Sequence, residues 1–117
     1  MSTDLYKLEK LNDITIITLS LNNVMHEENE TLMQSFDQLF KEGHKKIILD
    51  LSNTAYISSL ILASFVYIQK KSKELGGNLV FCQVKNRVAE VLKMTNLDKV
   101  FEISTTKEEA IKKFTKG

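Results

Sequence analysis

The chain has 117 residues, of which 43% are hydrophobic and 26% charged, and 16 Lys/Arg against 15 Asp/Glu give a formal net charge of +1. These values predict one ordinary soluble domain over residues 1–117 and argue against a nucleic-acid binder, which concentrates positive charge on one face. One cysteine excludes an internal disulfide, and two histidines are too few for a histidine-rich metal site.

The first half of the chain predicts a β-hairpin followed by a helix. Residues 6–11 and 14–21 have the composition of strands, and the polar pair Asn12-Asp13 between them is typical of a tight antiparallel turn. Behind the acidic stretch 27–30, apolar residues recur at helical spacing until Gly43 provides a stop. These apolar residues are Leu32, Phe36, Leu39 and Phe40.

The second half predicts alternating strands and helices. Residues 47–51 and 79–84 are short apolar runs typical of buried parallel strands, and residues 60–75 between them are too many for a strand. A helix over 86–94, a strand over 100–103 and a last helix behind a Thr-x-x-Glu capping box complete the chain. The order ββαβαβαβα predicts an α/β fold, a mixed sheet with an N-terminal hairpin and helices packed against it.

The residue types that catalysis requires do not converge in this pattern. No glycine-rich phosphate loop is present, and we interpret His26 and His44 as solvated surface histidines. Cys82 lies within an apolar run and is predicted to be an inert thiol, whereas Asp50, at the end of another, is expected to hydrogen-bond the following turn. We therefore expect no catalytic residue, no metal and no cofactor.

The start of the second predicted helix is the most informative segment. Eight of the nine residues 60–68 are apolar or aromatic, so this helix is either buried on both sides or faces a partner. Ser58 and Ser59 precede it, where free backbone N–H groups and the helix dipole favour an oxygen acceptor or an anion. Two interpretations remain open: a helix N-cap, or a phosphorylation site beside an apolar partner surface.

Several segments together resemble the STAS domain, in particular that of bacterial anti-sigma factor antagonists. They read DLSN at 50–53, YISS at 56–59, GGNLVF at 76–81 and VLKMTNLDKVF at 91–101, and the resemblance extends over about residues 6–114. It implies partner switching, in which the unphosphorylated protein binds an anti-sigma factor of the GHKL-type ATPase class and frees the sigma factor. The same ATPase acts as a serine kinase on the antagonist, and a phosphatase resets the system.

The resemblance also implies the site residues. The pair Tyr56-Ile57 matches the aromatic-hydrophobic pair before the family's Asp-Ser-Ser-Gly, which assigns the phosphorylated serine to Ser59. This chain has SSLI at 58–61 in that motif, and NNVM at 22–25 where the family commonly has Gly-Asp-x-Asp, so the pocket is less acidic and more apolar than usual. The predicted partner-binding residues are Ser58, Ser59, Leu60, Ile61, Asn23 and Met25.

Two alternatives use the same fold. The first is a constitutive scaffold, or a small subunit of a stress-sensing or ABC transporter complex, without phosphorylation. The second is a small-molecule or nucleotide binder, for which the sequence offers only a helix N-terminus. No apolar run reaches the roughly 18 residues that span a bilayer, and residues 1–4 lack the pattern of a secretory signal. We therefore expect a cytoplasmic protein without direct membrane insertion.

Overall fold

A computed structural model describes residues 5–115, so residues 1–4, which bear on the secretory-signal expectation, lie outside the described residues. The strands are β1 (Tyr6–Leu11), β2 (Ile14–Leu19), β3 (Asn23–Val24), β4 (Lys46–Asp50), β5 (Tyr56–Ile57), β6 (Asn78–Cys82) and β7 (Glu102–Ser104). The helices are α1 (Asn29–Lys41), α2 (Ser59–Glu74), α3 (Asn86–Met94) and α4 (Lys107–Thr115).

Five strands form the main sheet in the order β1-β2-β4-β6-β7. The first two are an antiparallel hairpin whose turn holds Asn12 at a φ of +57°, a left-handed conformation that asparagine tolerates. The remaining neighbours are all parallel, with β4 at the centre. The predicted α/β fold is therefore confirmed, and so is the order of the five main-sheet strands and four helices along the chain.

Alternation along the central strands divides the core between the two faces of the sheet. Ile47, Leu49 and Phe81 belong to the larger core, beneath α1, α2 and α3. Ile48 and Val80 belong to the smaller core, beneath α4. The helices thus cover both faces, which explains why the central strands read as unbroken apolar runs.

The ends of several strands and helices differ by one or two residues from the predicted ones. β2 ends at Leu19 rather than at residue 21, and α2 begins one residue earlier than predicted. The last strand is Glu102–Ser104 rather than 100–103, because Leu97–Lys99 forms a 3-10 turn and the N–H of Phe101 donates to the carbonyl of Leu97. None of the helices in residues 5–115 is long and apolar enough to cross a membrane.

A second, two-stranded sheet was not predicted. It pairs β3 with β5 in parallel, and it joins the chain after β2 to the chain that enters α2. The N–H of Ala55 donates to the carbonyl of Asn22 at 2.7 Å, and the N–H of Ser58 donates to the carbonyl of Val24 at 2.9 Å. These bonds fix the N-terminus of α2 against the segment that follows the hairpin.

Candidate partner-binding site

Ser58 is the N-cap of α2. Its backbone is extended, and its Oγ accepts the N–H of Ile61 at 3.3 Å, which satisfies one of the free donors at the helix start. The residue is only 8% exposed. Ser58 is therefore occupied inside the structure and offers a partner little surface.

Ser59 is the first residue of α2, and it is exposed to solvent. Leu60, which follows it, is 47% exposed, whereas Ile61 is fully buried. Because each residue of a helix turns by about 100°, the third position of α2 faces the sheet while the first two face outward. The prediction that the Ile61 side chain belongs to a partner surface is therefore wrong, since this side chain is part of the core.

The small β3/β5 sheet brings the other predicted residues to the same end of the molecule. Asn23 is exposed and pairs with Tyr56, and Met25 follows directly after β3 and is half-buried. Tyr56, 41% exposed, is a candidate that the sequence reasoning missed. Its signal was the alternation with Ile57, whose burial turns Tyr56 outward. We call Asn23, Met25, Tyr56, Ser59 and Leu60 the Ser59 surface.

The apolar start of α2 is divided between the core and solvent. Leu62, Phe65 and Ile68 are buried on the side that faces the sheet. On the opposite side Leu60 and Tyr67, 49% exposed, lie two turns apart and extend the Ser59 surface along the helix. The sequence left open whether this helix is buried on both sides or has one apolar side available to a partner. It is not buried on both sides, because Leu60 and Tyr67 are exposed.

Comparison with known proteins identifies the fold family. The model of the STAS domain matches residues 6–110. This chain belongs to the STAS domain family. A relative from Thermotoga neapolitana, named as an anti-sigma factor antagonist, is 34% identical over 98 residues, which are 82% of this chain and 87% of the relative. The resemblance inferred from the sequence is thereby confirmed.

Solved structures agree with this assignment. The crystal structure of a Thermotoga maritima protein, also named as an anti-sigma factor antagonist, has a TM-score of 0.83 and 29% identity over 92% of each chain. The anti-sigma factor antagonist SpoIIAA in its unphosphorylated form has a TM-score of 0.80 and 17% identity, covering 94% of this chain and 96% of that one. At that identity the likeness to SpoIIAA shows the fold alone.

Asp50 has a structural role in this STAS domain, as predicted. It is 2% exposed, and its Oδ1 accepts the N–H of Ser52 at 2.9 Å in the following turn. Its Oδ2 accepts an N–H of the Gln83 side chain at 3.1 Å and lies 3.8 Å from the Nζ of Lys107. The carboxylate therefore joins β4 to the chain after β6 and to the start of α4.

The interpretation of the two histidines is only half right. His26 is exposed in the turn before α1, as predicted. The side chain of His44 is only 13% exposed, and its Nδ1 lies 2.6 Å from the Oγ1 of Thr15, so its interpretation as a solvated residue is wrong. Thr15 is fully buried in β2, and a buried hydroxyl requires a partner, which the ring supplies.

Cys82 is expected to resist thiol reagents in the folded protein. Burial, assisted by the nearby Asp50 carboxylate, raises the pKa of the Cys82 thiol to about 12, so the reactive thiolate is scarce at neutral pH. We expect no reaction with a disulfide reagent such as dithionitrobenzoate in buffer, and one thiol per chain to react in denaturant. Rapid reaction of the native protein would contradict the buried position of this residue.

Proposed function

We propose that this STAS domain is a cytoplasmic anti-sigma factor antagonist that acts by binding rather than by catalysis. In this proposal the Ser59 surface binds an anti-sigma factor that is also a GHKL-type serine kinase, and the sigma factor is released. The names of the Thermotoga relatives support the general role. Phosphorylation of Ser59 by that kinase ends the interaction, and a phosphatase restores it.

The observation that carries the assignment to Ser59 is the contrast between the two neighbouring serines. Ser58 is buried and its Oγ caps α2, whereas Ser59 is exposed at the first helical position. A kinase must reach the hydroxyl with its own active site, which favours Ser59. SpoIIAA, which shares the fold, has also been solved in a phosphorylated form, with a TM-score of 0.71 and 16% identity over 93% of this chain and 98% of that one.

A phosphate on Ser59 would change the binding surface without unfolding it. It adds about −1.5 to −2 charges at neutral pH, and the free N–H groups and dipole at the start of α2 favour that charge there. The Leu60 side chain and the Tyr56 ring offer large apolar areas on the same surface, and these areas bind best when a partner excludes water. Removing water from a charged phosphate costs free energy, so a phosphate on Ser59 opposes the exclusion of water from this surface. Phosphorylation is therefore expected to weaken binding.

Incubation with a GHKL-type switch kinase and ATP tests the phosphorylation step. We expect intact-mass analysis to show one added phosphate, and peptide mapping to place it on Ser59. Ser59→Ala should abolish the modification. Ser58→Ala is the matched control, because it should lose about 1 kcal/mol of stability with the helix cap and still be phosphorylated. Phosphate on Ser58→Ala but none on Ser59→Ala is the pattern that the proposal requires.

Affinity for the same kinase tests the binding step. We expect titration calorimetry to show that Ser59→Ala binds as the wild type does and that Ser59→Asp binds at least tenfold more weakly. Thr106→Asp places the same charge at the exposed start of α4, which packs on the other face of the sheet, and should leave the affinity unchanged. If no phosphate is transferred by a kinase that modifies another antagonist, and the protein instead copurifies with an oligomeric or membrane ATPase complex, the constitutive scaffold is the better assignment.

A further inference from the structure

Strand β1 is an edge of the main sheet. In the part of the chain that the structure describes, it pairs only with β2. The N–H of Ser20 donates to the carbonyl of Leu5 at 2.8 Å, which makes these two residues a hydrogen-bonded pair. Hydrogen-bonded and non-hydrogen-bonded pairs alternate in an antiparallel ladder, so Leu8 and Lys10 direct their backbone N–H and C=O groups away from β2.

The space beside this edge is open on both faces of the sheet. On one face a hollow of about 400 Å³ separates β1 from α1, with Leu8 and Leu39 in its lining. On the other face α4 packs mainly on β4, β6 and β7, and its first residue, Lys107, reaches β1 with its Nζ 3.9 Å from the Oε2 of Glu9. Neither layer of helices therefore blocks the approach of another strand to β1.

We propose that β1 forms the interface of a symmetric homodimer, in which the β1 strands of two copies pair antiparallel with Leu8 opposite Leu8 of the second copy. In this register Lys7 lies opposite Glu9 of the second copy, and symmetry repeats the pair. Both side chains are exposed and point to the same face of the sheet. The outward-directed backbone of Leu8 then also supplies hydrogen bonds to Leu8 of the second copy.

The charges select this register from its neighbours. Charged residues on an edge strand normally discourage pairing, because a second strand would meet like charges. If the centre of the register moves by one residue, from Leu8 to Lys7 or to Glu9, like charges meet, because Lys7 then lies opposite Lys7 or Glu9 opposite Glu9. Among the residues of β1, which the structure describes, only the register centred on Leu8 pairs opposite charges, and it also places the half-buried Leu8 side chains together. This self-complementarity identifies a second copy of the chain as the occupant.

An engineered cysteine tests the register directly. In the proposed dimer the two Leu8 Cα atoms are about 5.5 Å apart, within the range for a disulfide, and the buried native Cys82 does not compete. Leu8→Cys should form a covalent dimer under mild oxidation. Lys10→Cys is the matched control on the same strand face, because its two copies lie roughly 14 Å apart in this register. Absence of the Leu8→Cys dimer, or equal crosslinking of both variants, would overturn the proposal.

A charge exchange tests the interface without cysteines. In sedimentation velocity over a concentration series, the wild type should sediment as a reversible dimer. Lys7→Glu and Glu9→Lys should each weaken dimerisation about tenfold, because each replaces two symmetry-related attractive pairs by repulsive ones. The double variant should recover the wild-type behaviour. A wild type that stays monomeric, or a double variant as weak as the singles, would overturn the proposal, and neither outcome depends on whether Ser59 is phosphorylated.

Discussion

Replacing Phe81 with alanine is expected to lower the free energy of unfolding by about 4 kcal/mol. Phe81 is fully buried in β6 within the larger core. Its ring meets Phe65 of α2 edge-on, with centroids 5.7 Å apart, and lies 4.5 Å from the ring centroid of Phe101. Alanine would remove contacts to a helix and to the segment before β7 at once, and the strand's parallel neighbours limit how far the backbone can close the cavity.

Equilibrium unfolding in urea measures this loss. The domain is expected to have about 5–15 kcal/mol of total stability, so the variant should show a much lower midpoint with a similar slope. Phe81→Leu is the control, because it keeps most of the volume and should cost about 1–2 kcal/mol. If the alanine variant were as stable to urea as the leucine variant, the rings of Phe65, Phe81 and Phe101 would not form the centre of the core.

Gly77→Ala is expected to destabilise the fold by about 3 kcal/mol, through overlap of backbone atoms rather than loss of contacts. A Cβ at this position would overlap the carbonyl carbon and oxygen of Lys45 and lie 2.9 Å from its Cβ. The same carbonyl accepts the N–H of Asn78 at 3.0 Å, where β6 begins to pair with β4. Relief of the overlap therefore has to move two central strands apart.

Gly76→Ala is the matched control for this prediction. Gly76 has a φ of +92°, so alanine there is strained and should cost about 1–2 kcal/mol. Its added Cβ would meet only the flexible end of the Lys45 side chain, at 3.8 Å. Thermal or urea unfolding should thus rank Gly77→Ala as the less stable of the two. The reverse ranking would mean that conformational strain, and not close approach of the strands, explains the Gly-Gly pair.

Most of the fold could be read from the sequence because its elements have strong local signals. The unbroken apolar runs of β4 and β6 require cover on both faces, and α2 has a length that no strand would have. The strands β3 and β5 were missed because two residues are too few to show any period. His44 was misjudged because its burial depends on Thr15, 29 positions earlier in the chain, and local composition carries no sign of that contact.

The candidate site was predictable only in part for a similar reason. The serine pair and the apolar start of α2 indicated where a partner would bind, but sequence position could not separate the buried from the exposed residues. The helical rotation that buries Ile61 and exposes Leu60 is set by how α2 packs on the sheet. Tyr56 becomes part of the surface through its pairing with Asn23, a contact between segments 33 residues apart.

The small β3/β5 sheet affects how strongly a partner can bind the Ser59 surface. Loops rich in serine and asparagine usually sample many conformations, and a partner that binds them must bear the entropy lost on ordering. Here the segment before α2 is already fixed, because the Thr54 hydroxyl donates to the carbonyl of Leu21 at 2.8 Å and Ala55 is bonded to Asn22. The Ser59 surface is therefore preorganised, because most of the conformational entropy that a partner would otherwise have to remove is already lost when the domain folds.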